Sequence, residues 1–240
     1  MKKDRISIII PVLNEEKTIS KILSSIEASI KSEHFELIVV DGGSQDQTKK
    51  KCLAQIKKLQ LRSKFTWMDC KKGRAHQMNA GALIAKYNVL FFVHSDTLLP
   101  KGFDQHIFKM LKKVPAGCFR LKFDSNKWFL SFFAFFTRFN YLICRGGDQT
   151  LFLQKQVFEE LSGFDSSYKV YEDNEFISRL YKKYSFGIIA KEVITSARKY
   201  RKIGFLKLQY HYAMIHALFF VGYPPKALKA YYNRRIKSQL

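Results

Sequence analysis

With 240 residues, of which 47% are hydrophobic, the chain can bury a sizeable core, and we expect one folded unit rather than several. Its 42 Lys and Arg residues outnumber its 20 Asp and Glu residues, and the formal charge of +22 favours an anionic partner such as a phosphorylated substrate, a polyanion or a membrane surface. The four cysteines form no CxxC pair, which argues against a zinc site and a disulfide-stapled secreted domain and favours the cytoplasm.

The first half of the chain alternates apolar runs with helical patterns. Strands are predicted at residues 6–12, 35–40, 65–69 and 88–93, and helices at about 16–30, 47–59 and 78–86. Strands that are apolar on both faces and separated by helices are typical of a parallel sheet of βαβ units. Because ligands bind beyond the carboxyl ends of such strands, we expect residues 11–15, 41–44 and 94–96 to meet along one rim.

The second half is less regular. Strands are predicted at residues 117–124, 150–154, 186–190 and 193–197, with a helix at 172–183. From about residue 202 the chain is basic and aromatic, and Pro224 and Pro225 separate two predicted helices. The pattern therefore predicts an α/β fold in which a Rossmann-like parallel sheet continues into a mixed sheet, followed by C-terminal helices.

Polar motifs follow several of the predicted strands. Asp41, in VVDGGSQD, is a good acceptor for ribose hydroxyls or a base imide, and Arg74, in GRAHQMNAGA, precedes a helix whose free amides suit a diphosphate. The apolar run NVLFFV ends in His94 and Asp96, two groups that are costly to bury without partners. Taken alone, each motif also suits a plain turn, a basic loop or a strand end in water.

The combination of motifs is more specific. PVLNEE, DGGSQD, GRAHQMNAGA, HSD, GGDQ and YED occur in the order found in family 2 glycosyltransferases of the GT-A fold, which the chain resembles from Ile6 to about Tyr232. It looks most like the subgroup described as radical SAM/selenodomain-associated transferases. The resemblance implies one glycosyltransferase domain over residues 1–240, with a nucleotide-sugar-binding half (1–97), an acceptor-side half (98–200) and basic, aromatic C-terminal helices (201–240).

The resemblance also implies roles for individual residues. Asp96 would be the metal-binding carboxylate of a DxD-type motif, holding Mn²⁺ or Mg²⁺, while His94 replaces the first acid of that motif and is either a ligand to Mn²⁺ or a hydrogen-bonding neighbour. Asp173 would be the catalytic base, Glu172 its alternative, and Asp148 a further catalytic group between donor and acceptor. The nucleotide-sugar pocket would contain Pro11, Asn14, Glu15, Asp41, Gly43, Arg74, Asn79, Ser95, Gln149 and Arg198.

The resemblance therefore implies an inverting, metal-assisted glycosyltransferase that uses a nucleoside-diphosphate sugar. A catalytically inactive nucleotide-sugar-binding protein is the alternative, because His94 departs from the usual motif. The charge and the 15% aromatic content also suggest nucleic-acid binding, but the cations are scattered and no nucleic-acid-binding signature accompanies them. We therefore expect no nucleic-acid partner.

Two segments, residues 126–145 and 200–237, mix aromatic side chains with Lys and Arg. Such segments suit interfacial helices at the cytosolic face of a membrane, where a lipid-linked acceptor would be within reach. The alternative is that Phe129, Phe132, Phe133 and Phe136 pack a helix onto the sheet or form a homodimer contact. The first apolar run is too short for a secretory signal, and no stretch reaches the roughly 20 apolar residues of a membrane-spanning helix.

Overall fold

The computed structural model describes residues 5–59 and 64–239. The strands are β1 (Ile6–Val12), β2 (Phe35–Asp41), β3 (Lys64–Asp69), β4 (Val89–Phe92), β5 (Thr97–Leu98), β6 (Ala116–Phe123), β7 (Leu151–Gln154) and β8 (Phe186–Thr195). The helices are α1 (Ile19–Ser29), α2 (Thr48–Leu59), α3 (Arg74–Ile84), α4 (Phe103–Leu111), α5 (Trp128–Phe135), α6 (Lys155–Glu160), α7 (Glu172–Lys183), α8 (Arg198–Ile203), α9 (Phe205–Phe220) and α10 (Pro225–Arg235).

The strands form one sheet in the order β3-β2-β1-β4-β7-β6-β8-β5. β1 pairs in parallel with β2 and β4, and β2 pairs in parallel with β3, as the alternation of strands and helices predicts. All residues of β1 and β2 are buried, with Ile8 in the core on one face and Ile9 in the core on the other. The continuous apolar pattern of these strands therefore follows from helices on both faces of the sheet.

The remaining strands make the sheet mixed, which confirms the predicted fold class. β7 is antiparallel to both β4 and β6, while β8 is parallel to β6. The prediction of two strands at 186–190 and 193–197 is wrong, because β8 is one strand with a bulge: Phe119 pairs with Ile189, but its neighbour Arg120 pairs with Glu192. The two extra residues turn outward and interrupt the apolar pattern.

Three helix boundaries also differ from the predictions. α1 begins at Ile19 rather than near residue 16, because residues 15–18 form a turn in which the Thr18 hydroxyl donates to Glu15. α3 begins at Arg74, so this residue opens the helix instead of preceding it. Within residues 126–145, where an interfacial helix is predicted, helix α5 ends at Phe135 and is followed by 3-10 turns at Phe136–Arg138 and Leu142–Cys144.

The C-terminal helices and α5 share a third buried cluster beside β6. Its members come from β6 (Phe123), α5 (Leu130), α8 (Tyr200), α9 (Leu208) and α10 (Leu228). Within residues 5–59 and 64–239, no helix combines the length and apolar character needed to cross a bilayer. The cluster thus ties the basic C-terminal helices to the same sheet that carries the polar rim.

Candidate active site

The rim is built from the carboxyl ends of parallel strands. Val12 at the end of β1 is in register with Asp41 at the end of β2. Val93, just after β4, donates its amide to the carbonyl of Ile9, so that His94 emerges at the same edge. The loops after β1, β2 and β4 consequently meet, as expected for residues 11–15, 41–44 and 94–96.

The loops after β1 and β2 are cross-linked. The Asp41 carboxylate accepts hydrogen bonds from the Ser44 amide (3.1 Å) and hydroxyl (2.6 Å). The Ser44 hydroxyl accepts a hydrogen bond from the backbone amide of Asn14 (2.8 Å). The side-chain oxygen of Asn14 accepts one from the backbone amide of Gln45 (2.9 Å). Asn14 has a left-handed backbone (φ 54°), a strained conformation that often marks a functional loop. Pro11 is buried within β1 and Gly43 is exposed at the loop tip.

Arg198 spans the rim from the other side. Its guanidinium donates to both carboxylate oxygens of Glu15 (2.8 and 3.1 Å) and lies 3.4 Å from Asp96. Burial alone would raise the pKa of Glu15, but the bonds from Arg198 and Thr18 hold it below its ordinary value. Arg198, a predicted site residue, is thus brought to the rim at the start of α8.

Asp96 lies in a different electrostatic setting. Burial, together with the nearby charge of Asp148, raises the pKa of Asp96, and the charges of His94, Arg198 and Lys199 only partly oppose this. Asp96 is therefore a carboxylate whose negative charge is incompletely neutralised by the protein. Asp148 itself is exposed at the mouth of the site.

Glu172 and Asp173 open helix α7 and have separate partners. Arg74 Nε lies 2.5 Å from Glu172, whose side chain is almost fully buried, and burial is the main reason that the pKa of Glu172 is raised. His94 Nε2 lies 3.7 Å from Asp173, an ion-pair distance. Burial opposes the charge of Asp173, but His94 and Arg74 hold its pKa below the ordinary value. The Asp173 carboxylate is therefore held in its ionised form.

The loop containing Gly147 presses against this pair. A Cβ atom at Gly147 would overlap the carboxylate of Asp173 and would lie 3.0 Å from His94 Nε2. Only glycine allows the backbone to approach so closely. The GGDQ motif therefore brings Asp148 to the mouth of the site while its own backbone closes over Asp173.

Two residues placed in the nucleotide-sugar pocket by the resemblance are held by protein groups. The side-chain amide of Asn79 donates to the backbone carbonyl of Phe164 (2.8 Å), and its oxygen accepts from the backbone amide of Phe164 (2.9 Å). Gln149 is buried, accepts from Arg145 (2.8 Å) and donates to the carbonyl of Cys144 (2.7 Å). These bonds support anchoring roles, and direct contact of either residue with a nucleotide stays a prediction. Ser95 is buried beside Glu15.

Sequence reasoning missed Lys199. The charge of Lys199 acts on Asp96. Burial would lower the pKa of Lys199, yet neighbouring groups that include Asp148 hold it above its ordinary value. Its position next to Arg198 was the signal that could have identified it.

The protein groups at the rim suit a divalent metal ion only together with ligands from a substrate. Within the described ranges, no group of three or more His, Cys, Asp or Glu residues could hold a metal by itself. Mg²⁺ at nucleotide sites is usually held by one or two carboxylates and completed by substrate phosphates. Asp96, with its incompletely neutralised charge and with His94 two residues away, fits such a substrate-completed site.

Comparison with known proteins places these features in context. The family model "Glycosyl transferase family 2" matches residues 7–171. Staphylococcus aureus TarS (residues 1–349), solved with UDP-GlcNAc, has a TM-score of 0.65 at 18% identity, covering 80% of this chain and 58% of TarS. The mannosyltransferase PcManGT from Pyrobaculum calidifontis, solved with GDP-Man and Mn²⁺, has a TM-score of 0.66 at 18% identity, covering 89% of this chain and 65% of PcManGT.

A curated relative is more similar over a shorter stretch. Glucosyl-3-phosphoglycerate synthase of Mycobacterium tuberculosis is 28% identical over 96 residues, which cover 40% of this chain and 30% of the relative. Matches to the curated relatives span from 12% to 30% of their length. The structural likeness shows that the fold is of the GT-A type.

Proposed function

This chain belongs to glycosyltransferase family 2, and we propose that it transfers a sugar from a nucleoside-diphosphate sugar to an acceptor hydroxyl, with inversion at the anomeric carbon. The observation that carries the proposal is the position of Asp173: its carboxylate is kept ionised by His94 and Arg74 at the rim where three parallel strands end. A base beside a cation-lined rim is what this transfer requires.

The donor occupies the rim between β1, β2 and β4. The cross-linked loops of Asn14 and Asp41 receive the nucleoside, and the amino end of α3 with Arg74, Arg198 and Lys199 receives the diphosphate. The complexes of TarS with UDP-GlcNAc and of PcManGT with GDP-Man support a nucleotide-sugar donor, and a hexose is the proposed group transferred.

Asp173 removes the proton from the acceptor hydroxyl. As the acceptor oxygen forms its bond to the anomeric carbon, the bond from that carbon to the diphosphate oxygen breaks and the nucleoside diphosphate leaves with the electron pair. The charge that develops on the leaving group faces Arg74 and Arg198. Glu172, buried against Arg74, positions that guanidinium, and Asp148 contacts the sugar or the acceptor at the mouth of the site.

A divalent cation, Mn²⁺ or Mg²⁺, would be held by Asp96 and would neutralise charge on the diphosphate. The complex of PcManGT with GDP-Man and Mn²⁺ supports this proposal. His94 lies 3.7 Å from Asp173 and 3.5 Å from Arg74, which favours its role as a neighbour that orients the base over a role as a metal ligand.

The GRAHQMNAGA and TSAR segments support membership of the radical SAM/selenodomain-associated subgroup. We place the enzyme in the cytoplasm, at the cytosolic face of a membrane with a lipid-linked acceptor, and a homodimer is the competing use of the same aromatic surface.

A donor screen tests the proposal. UDP, GDP and dTDP sugars are added with and without Mn²⁺ or Mg²⁺ while the unfolding midpoint and donor hydrolysis are measured. One donor should raise the midpoint by linkage and should be hydrolysed slowly with the metal. Binding of a donor without turnover across a broad acceptor panel would favour the inactive sugar-nucleotide-binding protein, and no binding of any donor would overturn the proposal.

A further inference from the structure

Residues 128–143, called here the aromatic segment, expose an unusual number of large apolar side chains. Trp128 is 76% exposed and Ile143 is 67% exposed. The other exposed large apolar residues of the segment are Phe132, Phe135, Phe136, Phe139 and Tyr141. Packing of α5 against the rest of the protein explains why Leu130 is fully buried. It does not explain why the large apolar side chains named above are exposed.

The exposed rings of the aromatic segment touch one another. Phe132 and Phe136 have centroids 5.1 Å apart, and Phe135 and Phe139 have centroids 5.8 Å apart. The Arg138 guanidinium lies over the ring of Phe135 at 3.7 Å, so a cation sits directly on the apolar surface. Contiguous exposed apolar surface on this scale marks an interaction site.

The stretches of chain that form the aromatic segment and the C-terminal helices carry charges of one sign. Residues 125–147 contain no Asp or Glu, and neither do residues 193–240. The C-terminal stretch carries ten cations: Arg198, Lys199, Arg201, Lys202, Lys207, Lys226, Lys229, Arg234, Arg235 and Lys237. Leu130 of α5 packs in the same buried cluster as Leu208 of α9 and Leu228 of α10, so the aromatic and the basic elements form one packing unit.

We propose that the aromatic segment docks this protein onto an anionic membrane surface, with the rings entering the acyl boundary and the C-terminal cations meeting the headgroups. Aromatic side chains mixed with Lys and Arg suit this boundary. A second copy of the chain is a poor occupant, because a two-fold contact would set this acid-free, cationic region against itself. An anionic bilayer complements both the apolar surface and the charge.

Docking would also orient the site. The buried Arg145 donates to the carbonyls of Thr137 and Phe139, which fixes the end of the aromatic segment. Two residues later, Gly147 lies against Asp173. If the proposed transfer reaction is correct, a lipid-linked hydroxyl would therefore approach the base from the docked side.

Co-sedimentation with vesicles tests the docking without measuring transfer, so its failure would leave the proposed glycosyl transfer untouched. The full chain is mixed with vesicles of phosphatidylcholine alone or of phosphatidylcholine with phosphatidylglycerol. Binding is expected only to the anionic vesicles, and it should weaken as salt is raised to about 0.5 M.

Matched variants distinguish vesicle binding by the aromatic segment from non-specific binding by any exposed apolar residue, and from the effect of net charge alone. Trp128→Ser with Phe132→Ser and Ile143→Ser should weaken binding about tenfold or more. Leu53→Ser with Leu83→Ser, which removes exposed apolar groups elsewhere, should leave binding unchanged. Likewise, Lys202→Glu with Lys207→Glu and Lys226→Glu should weaken binding more than Lys109→Glu with Lys112→Glu and Lys113→Glu, although the net charge changes equally.

Thermal unfolding verifies that each variant is folded, and Trp128→Ser alone replaces the triple variant if the latter unfolds. Absence of wild-type binding to the anionic vesicles at low salt would overturn the proposal. Equal binding by the wild type and the folded aromatic variant would also overturn it. So would a wild-type dimer that ignores vesicles and dissociates in the aromatic variant, since the segment would then be a subunit contact.

Discussion

The two sides of the rim satisfy their polar groups by different means. On the side of β1 and β2, the loops after these strands bond to each other through Asn14, Asp41 and Ser44. On the side of α7, charged groups face one another across elements distant in sequence, as Glu172 faces Arg74 and Asp173 faces His94. The first side is therefore held by local bonds between two neighbouring loops, whereas the second side depends on how helices α3, α7 and the C-terminal helices pack.

The largest expected effect is on the side of α7. Asp173→Asn removes the proposed base without changing its volume, so donor affinity should remain while turnover falls by about 10² to 10⁴. Steady-state turnover and donor-induced thermal shifts measure the two quantities separately. Glu172→Gln is the matched control, expected to affect turnover less. If Asp173→Asn kept full activity and Glu172→Gln lost it, Glu172 would be the base. If both variants kept full activity, the mechanism would be refuted.

The fit between the GGDQ loop and the base gives the next largest effect. In Gly147→Ala the new methyl group would overlap the buried Asp173 carboxylate, so turnover of the variant, once thermal unfolding shows that it is folded, should fall about 10²-fold through misplacement of the base. Gly146→Ala is the control, because a Cβ there meets no atom within 4 Å. Equal activities of the two variants would show that the loop does not constrain Asp173.

Arg198 joins Glu15, in the loop after β1, to Asp96, in the loop after β4, so its removal tests how these loops hold the proposed donor. Arg198→Met leaves Glu15 without its cation and removes a proposed diphosphate contact, and donor binding should weaken about 10- to 100-fold. Arg198→Lys should recover only part of this affinity, since it cannot bond both oxygens of Glu15 in the same way. Unchanged donor affinity by calorimetry in Arg198→Met would separate this residue from the donor.

The smallest expected effect concerns the contact between the C-terminal helices and α7. The hydroxyl of Tyr171, which precedes Glu172, contacts Nδ1 of His216, and burial lowers the pKa of His216 to about 4. In the unfolded chain the His216 imidazole takes up a proton near pH 6.5, whereas in the folded protein it does so only near pH 4. The free energy of unfolding should therefore decrease as the pH falls from about 6.5 to about 4.

Urea unfolding at pH 7 and pH 5 measures this contribution. The loss of stability between the two values should be smaller in His216→Gln than in the wild type by about 1–2 kcal/mol. Asp96 and the other rim groups are unchanged in the variant, so their titration contributes equally to both proteins. An identical pH dependence in both would show that His216 is not kept neutral by the fold.

The sequence alone determined which segments reach the rim. Apolar runs separated by helical patterns specify the parallel half of the sheet, because side-chain period and length are local properties. The carboxyl ends of those strands then bring Asp41 and His94 to one edge, and an acidic pair at the start of a helix was readable at Glu172 and Asp173. The bulge in β8 was not readable, because two outward residues resemble a strand break.

Only the tertiary structure decided what each side chain contacts. It brings His94 to Asp173 and Lys199 towards Asp96. It also holds Asn79 and Gln149 in hydrogen bonds to other protein groups and leaves Trp128 exposed. The physical reason is that a local pattern fixes the direction of a side chain relative to its own helix or strand. The pKa of a carboxylate and the exposure of a ring depend instead on groups many residues away, which only the packed chain brings within a few ångströms.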